Sequence, residues 1–192
     1  MAPSPSPPPF SFPLEYNFPA FFTPQPNLTT LHAQQSKWAS LILSYTRHQR
    51  IFKLSLSTAS ETELFHNARL DRRLSTKDIQ AVIELMRKDG RAEYASGSAS
   101  GSGSRFRGTK DVVFVYWKKP EEWAALIEKY VYDTAQKGCV LTVYEISEGE
   151  GTRGTELHGM DQDVLLKALN ILVKRGKAQI FGSDDALGVK FF

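Results

Sequence analysis

The chain has a single cysteine, Cys139, among 192 residues. No internal disulfide can form, so nothing in the fold depends on one, and the usage fits a reducing compartment. Long apolar runs are also missing: none approaches the roughly 18 residues that a membrane-spanning helix needs. Residues 1–9 are mostly proline and serine, without the charged and apolar regions of a secretory signal. Charge of one sign is scarce, since 24 Lys and Arg face 21 Asp and Glu, a net +3. An acidic partner therefore has to be argued from where the cations lie. Catalytic constellations are absent as well. His32, His48, His66 and His158 share no metal-ligand spacing with one another or with Cys139. His158 lies near Glu156, Asp161 and Asp163, but carboxylates beside a turn read as caps and loop charges. Gly149-Glu150-Gly151 and Gly154 lack both the P-loop lysine and the dinucleotide fingerprint, and no serine sits in a nucleophile elbow. These absences predict no enzyme, no cofactor, no metal and no small-molecule substrate.

What the chain does have is a repeat. Lys37-Trp38-Ala39-Ser40-Leu41-Ile42-Leu43-Ser44-Tyr45 parallels Glu122-Trp123-Ala124-Ala125-Leu126-Ile127-Glu128-Lys129-Tyr130, with Trp38 and Trp123 85 positions apart. In both, Trp, Leu, Ile and Tyr recur at i, i+3, i+4 and i+7, one face of a helix. Ile79, Val82, Ile83 and Met86 share that spacing with Leu165, Ala168, Leu169 and Leu172, 86 positions on. Both of these later helices run into a glycine, Gly90 or Gly176, followed by a basic residue and an alanine.

Each copy resolves into the same elements. First helices are predicted over residues 30–48 and 121–136, the second opening after Pro120, where a first-turn proline is tolerated. Strands follow over 51–56 and 140–146. A short middle helix is predicted over 60–66, from the capping-box spacing of Ser60 and Glu63, and its counterpart between 154 and 159. Third helices begin near Ser75 and Asp161, both good N-caps. Strands over 92–95 and 112–117, then 178–181 and 188–192, close the copies. Helix, strand, helix, helix and terminal hairpin is the order of a winged helix, so the expected class is α+β: two tandem winged-helix domains with an extended N-terminal segment. The domains are expected over 28–118 and 119–192, after a Pro/aromatic segment over 1–27. The Gly/Ser stretch over 96–110 reads as an elongated, flexible wing loop inside the first domain.

The N-terminal segment repeats on its own scale: Phe12-Pro13 then Tyr16, and Phe18-Pro19 then Phe22. Proline favours extended chain, which presents aromatic rings at low entropic cost. Pro13, Tyr16, Phe18, Pro19, Phe21 and Phe22 are the candidate docking residues. Two readings stand, docking to a partner and folding back over the first helix, and different rings can do each.

A winged helix that binds DNA places its third helix in the major groove and needs a basic face there. Here Lys77, Arg87 and Lys88 are offset by Asp78, Glu84 and Asp89, and Lys167, Lys174 and Arg175 by Asp161 and Asp163, while an exposed Leu165 or Leu166 would extend the apolar face. Cations also gather at Arg69, Arg72, Arg73 and Lys77, and at Arg105, Arg107 and Lys110 on the wing, where a solvated surface is expected first and an acidic partner protein or membrane next. A nucleic-acid-binding regulator remains the alternative function, disfavoured by this charge pattern.

Several stretches together resemble a known family. They are Tyr16 through Phe22-Thr23 with Gln25-Pro26-Asn27, Trp117-Lys118-Lys119-Pro120-Glu121-Glu122-Trp123, Leu141-Thr142-Val143-Tyr144-Glu145 with Gly149-Glu150, His158-Gly159 leading into Leu165-Leu166, and Gly188-Val189-Lys190-Phe191-Phe192. In this order they are similar to the vacuolar protein-sorting-associated protein 25 family, the tandem winged-helix subunit of the ESCRT-II complex. The resemblance implies a cytoplasmic adaptor recruited to endosomal membrane, which sorts ubiquitinated cargo into multivesicular bodies. It implies docking to the other ESCRT-II subunits through the first domain and the N-terminal segment. That family's segment carries Pro-Pro-x-aromatic motifs. Here they read Pro13-Leu14-Glu15-Tyr16 and Pro19-Ala20-Phe21-Phe22, each without its second proline but with its aromatic. The resemblance further implies that the second domain captures a helix of an ESCRT-III subunit. Lys167, Lys177 and Lys190 are the candidate contacts, on the expectation that such a helix offers acids beside apolar residues.

Overall fold

The structure is a computed structural model, and it describes residues 8–95, 111–182 and 187–192. The wing stretch 96–110, with Arg105, Arg107 and Lys110, lies outside the described residues. Contacts divide the chain into two compact units that part between Trp117 and Lys118.

The first unit opens with two 3-10 turns, Leu14–Asn17 and Pro19–Phe22, and continues through α1 (Leu28–Gln49), β1 (Lys53–Ser55), α2 (Leu56–Ala59), β2 (His66–Asn67), β3 (Arg72–Arg73), α3 (Thr76–Lys88), β4 (Ala92–Tyr94) and β5 (Val112–Val115). α1 begins two residues earlier than its apolar face suggests, because the Asn27 side chain accepts from the N–H groups of Thr29 (2.9 Å) and Thr30 (3.1 Å). Trp38, Leu41, Ile42 and Tyr45 of α1 are buried with Ile79, Val82, Ile83 and Met86 of α3, as the helical spacing requires. A three-stranded antiparallel sheet of order β1-β5-β4 adds Leu54, Val113 and Val115 to the same core. Each fully buried large apolar side chain contributes about 1.5–3 kcal/mol.

The second unit repeats the plan with α4 (Pro120–Asp133), β6 (Val140–Thr142), α5 (Val143–Glu148), a 3-10 turn at Glu150–Thr152, α6 (Gln162–Lys174), β7 (Ala178–Phe181) and β8 (Gly188–Phe191). Its sheet has the matching order β6-β8-β7. Trp123, Ala124, Ile127 and Val131 of α4 are buried, as are Val164, Leu165, Ala168, Leu169 and Leu172 of α6. The repeat extends to single hydrogen bonds. Gly90 (φ 67°) and Gly176 (φ 68°) turn the chain left-handed, so that Arg91 N–H reaches the Met86 carbonyl (2.8 Å) and Lys177 N–H that of Leu172 (2.9 Å). The sheet then closes on these bends, Tyr116 N–H donating to Arg91 O (2.8 Å) and Phe192 N–H to Lys177 O (3.0 Å). Helix, strand, helix, helix and hairpin, with the first strand paired to the hairpin's second, is the winged-helix arrangement.

Four expectations need correcting. The middle helix of the first unit is α2, not residues 60–66. There the chain makes tight turns, and the Glu63 carboxylate accepts from the Tyr45 hydroxyl (2.7 Å) instead of capping a helix with Ser60. The strand expected over 140–146 ends at Thr142, where a reciprocal cap starts α5. Thr142 Oγ1 accepts from Glu145 N–H (3.0 Å), and the Glu145 carboxylate accepts from Thr142 N–H (2.7 Å). The second middle helix is therefore α5 and not a segment between 154 and 159. Leu165 is buried and Leu166 half-buried, so neither widens an exposed apolar face of α6.

Candidate protein-docking surfaces

The first surface is built by the N-terminal segment, which lies as a strap across α1. Phe21 stacks on Trp38 with ring centroids 4.4 Å apart, and Phe22 meets the same indole edge-on at 5.4 Å. Three of the strap's backbone carbonyls accept from α1. The Gln34 amide donates to the carbonyls of Phe21 (2.8 Å), Ala20 and Thr23 (both 3.0 Å), and the Trp38 indole N–H also donates to Phe21 O (2.9 Å). The Tyr16 hydroxyl donates to the Glu63 carbonyl, Phe12 stacks on Tyr16 at 4.1 Å, and Lys37 pairs with Glu15 at 2.6 Å. Burial, aided by the nearby Glu63 carboxylate, pushes the Tyr16 hydroxyl pKa up to about 12. Burial likewise raises Tyr45, which hydrogen-bonds to the Glu63 carboxylate. The hydrogen bond from Lys37 holds Glu15 below the usual carboxylate range.

This packing divides the candidate set in two. Tyr16, Phe21 and Phe22 are buried in the chain's own core, because α1 offers the rings the Trp38 indole and their backbone the Gln34 amide. Phe18 stays 60% exposed, Leu14 80% exposed, and Pro13 and Pro19 face solvent. Two shallow hollows flank the strap. One, of about 670 Å³, lies over Phe10, Phe12, Pro13, Ser40 and Leu41, and the other, of about 260 Å³, beside Phe18, Ala20 and Ala33; Phe21 and the Glu15–Lys37 pair belong to both.

The second surface lies in the second unit. Ala125, Glu128, Lys129 and Tyr132 occupy positions i, i+3, i+4 and i+7 of α4 and form its outer face. With Leu172, Phe191 and Phe192 they line a groove of about 440 Å³ whose rim carries Lys129, Lys137 and Lys177. Lys177 is ion-paired to Glu128. Tyr132 is 80% exposed and Phe192 51% exposed. Of the three candidate lysines, only Lys177 lines this groove. Lys190, on β8, adjoins it through Phe192, with its ammonium 5.6 Å from that ring's centroid. Lys167, half-buried on α6, does not line it. Tyr132, Phe192, Lys129 and Lys137 escaped the sequence reading, although the spacing 125, 128, 129, 132 already marks a second face on α4.

The third helices make no basic stripe: Arg87 pairs with Glu84 at 3.1 Å, and Asp78 and Asp163 sit in first turns. Among the described residues no group of three or more His, Cys, Asp or Glu side chains is arranged to hold a metal ion. No helix among them is long and apolar enough to cross a membrane.

Comparison with known proteins places the chain in a family. Residues 15–161 match the family described as ESCRT-II complex subunit. The chain is 39% identical over 183 residues to vacuolar protein-sorting-associated protein 25 of Danio rerio, covering 95% of this chain and 99% of the relative. Identity to the Homo sapiens protein of that name is also 39%, over 95% and 98% of the two chains. Among solved structures, subunit VPS25 of the endosomal trafficking complex ESCRT-II superposes with a TM-score of 0.81 at 28% identity, covering 94% of this chain and 98% of that one. A chain of the ESCRT-II endosomal trafficking complex superposes at 0.79 and 30% identity, covering 93% and 98%. The chain belongs to the family of ESCRT-II complex subunits.

Proposed function

We propose that this chain is a two-ended connector in vacuolar protein sorting, joining the other ESCRT-II subunits through its first unit and an ESCRT-III subunit through its second. Its role is structural and involves no catalytic step. It works in the cytoplasm and meets the endosomal membrane indirectly, through its partners, as cargo bearing ubiquitin is sorted into multivesicular bodies. The observation that carries this reading is Phe18, a ring 60% exposed on a strap that buried neighbours hold in place. An apolar ring fixed before binding forfeits little entropy when covered, which is the profile of an interface anchor. A solved assembly of VPS22, VPS25 and VPS36 supports the identity of the strap's partners.

The groove beside α4 supports the second contact. Its apolar floor and lysine rim suit an amphipathic helix with acidic flanks. Two titrations test the pair. L14A/F18A should weaken assembly with the other ESCRT-II subunits at least tenfold while leaving helix binding intact. Y132A should weaken binding of an ESCRT-III N-terminal helical peptide and leave assembly alone. Unchanged assembly by L14A/F18A removes the strap reading, and unchanged peptide affinity in Y132A removes the groove reading.

A further inference from the structure

The residues that precede the strap have no part in the surfaces described above. Within 3–9, five positions are proline, and the other two, Ser4 and Ser6, each directly precede one. The family match begins at residue 15, so this run lies outside it. Residues 1–7 lie outside the described residues, whereas Pro8 and Pro9 are described and both exposed. Phe10, which follows them, is half-buried. Its ring meets those of Phe12, Tyr45 and His48 edge-on, with centroids 5.0, 5.1 and 5.4 Å apart. Three ring contacts thus tether the proline run to the last turns of α1.

Proline has no N–H and holds φ near −65°, so a run of this composition is unsuited to a helix interior or a central strand. A residue before proline is steered to extended backbone. Both effects favour polyproline II, which has three residues per turn and leaves its carbonyls without internal partners. On such a helix Pro5 and Pro8 share one edge, and Ser4-Pro5 and Pro7-Pro8 place the same kind of step one turn apart. No charged side chain occurs before Glu15. A partner therefore meets pyrrolidine rings and carbonyl oxygens, with no ion to pair.

We propose that residues 3–9 are a ligand for a domain with an uncharged groove of tryptophan and tyrosine rings, of the WW or EVH1 kind. Aromatic rings of such a groove pack between successive prolines, and an indole N–H or a tyrosine hydroxyl donates to a carbonyl of the run. A segment already biased to the bound backbone loses little entropy on binding. The lack of any cation before Glu15 favours this groove over one that adds an acidic pocket for a basic flank. Phe10 supplies the fixed end from which the ligand is presented. This contact is separate from the docking of the strap, because its residues precede Pro13, Leu14 and Phe18 and share none of them.

The test titrates the full-length chain against arrays of isolated WW, EVH1 and SH3 domains by biolayer interferometry. Wild type should bind WW or EVH1 domains with an affinity that changes little between low and high salt, since no ion pair forms. P5A/P8A should bind the same domains at least tenfold more weakly, and L14A/F18A should bind them as wild type does. Unfolding midpoints of P5A/P8A and wild type should coincide. Absence of binding to every WW and EVH1 domain overturns the proposal, as does equal binding by P5A/P8A. Binding confined to SH3 domains and lost at high salt overturns it too, by showing a charged groove. A lowered unfolding midpoint in P5A/P8A would place the run against the chain's own fold, in the hollow over Phe10 and Phe12, and would likewise overturn it.

Discussion

Replacing Phe21 by alanine distinguishes a strap that belongs to the fold from one that is free for a partner. Phe21 is 7% exposed and lies face to face with Trp38, the planes 10° apart. Truncating a buried phenylalanine costs about 3–5 kcal/mol, through lost transfer energy and the cavity left behind. The site is at the edge of the core, where neighbours and water can partly refill it, so about 3 kcal/mol is expected. The bonds from Gln34 and Trp38 to the residue's carbonyl survive the substitution, since they engage the backbone. With a guanidinium m-value of about 3 kcal/mol/M, the midpoint should fall by about 1 M with m unchanged. F18A should stay within about 0.5 kcal/mol of wild type, as exposed substitutions do. Denaturant titrations followed by tryptophan fluorescence compare the two. A shift below about 0.5 kcal/mol for F21A, equal to that of F18A, would refute the packing argument and return Phe21 to the set of rings open to a partner.

G176A should cost about 1 kcal/mol, because the left-handed bend strains any Cβ. A Cβ there meets nothing within 4 Å, so G176N, which tolerates that backbone, should cost less; equal losses would mean packing, not backbone, sets the requirement. T142V removes the cap of α5 and should lower stability by about 1 kcal/mol in denaturant titrations, and a neutral result would show that α5 does not depend on it. Tyr16 titrates near 12 when folded against an ordinary 10.0. The stabilisation linked to its proton is therefore whole below pH 10 and is lost as pH rises through 12. Urea titrations between pH 9 and 12 should show Y16F losing part of that alkaline slope, and an unchanged slope would argue against a buried hydroxyl.

The core was legible in sequence because its signal is long and redundant. Two helical faces recur at offsets of 85 and 86 positions, each ending at a left-handed bend. The short elements were not. Val140 to Ile146 alternates like a strand, but the decisive signal was Thr142 with Glu145, a capping box inside a β-branched run. Ser60 with Glu63 has that same spacing and caps nothing, since the tyrosine of α1 claims the carboxylate. A four-residue motif gives only a local option, and long-range partners decide whether it is taken. The candidate lysines meet the groove only in part, through Lys177. Lys167, Lys177 and Lys190 follow from charge on the second wing and third helix, whereas the groove is organised by the outer face of α4 and the aromatic end of β8.

The strap shows why composition could not separate inward from outward rings. Phe12-Pro13 with Tyr16 and Phe18-Pro19 with Phe22 are the same pattern six residues apart, though Pro13 precedes the turn Leu14–Asn17 and Pro19 opens the turn Pro19–Phe22. Tyr16 and Phe22 both turn inward, so the repeat holds at its last position. It breaks at its first: Phe12 is half-buried, stacked on Tyr16 at 4.1 Å and near Tyr45 at 6.0 Å, whereas Phe18 has no ring partner among the described residues. The difference lies in what α1 offers beneath each turn, which no local pattern records. A ring held in place by its neighbours but left uncovered by the fold continues to expose apolar area to water. Covering it with another protein removes that exposure without first ordering the strap. The residue at which the repeat fails to bury its ring is thus the residue at which assembly should be most sensitive to substitution.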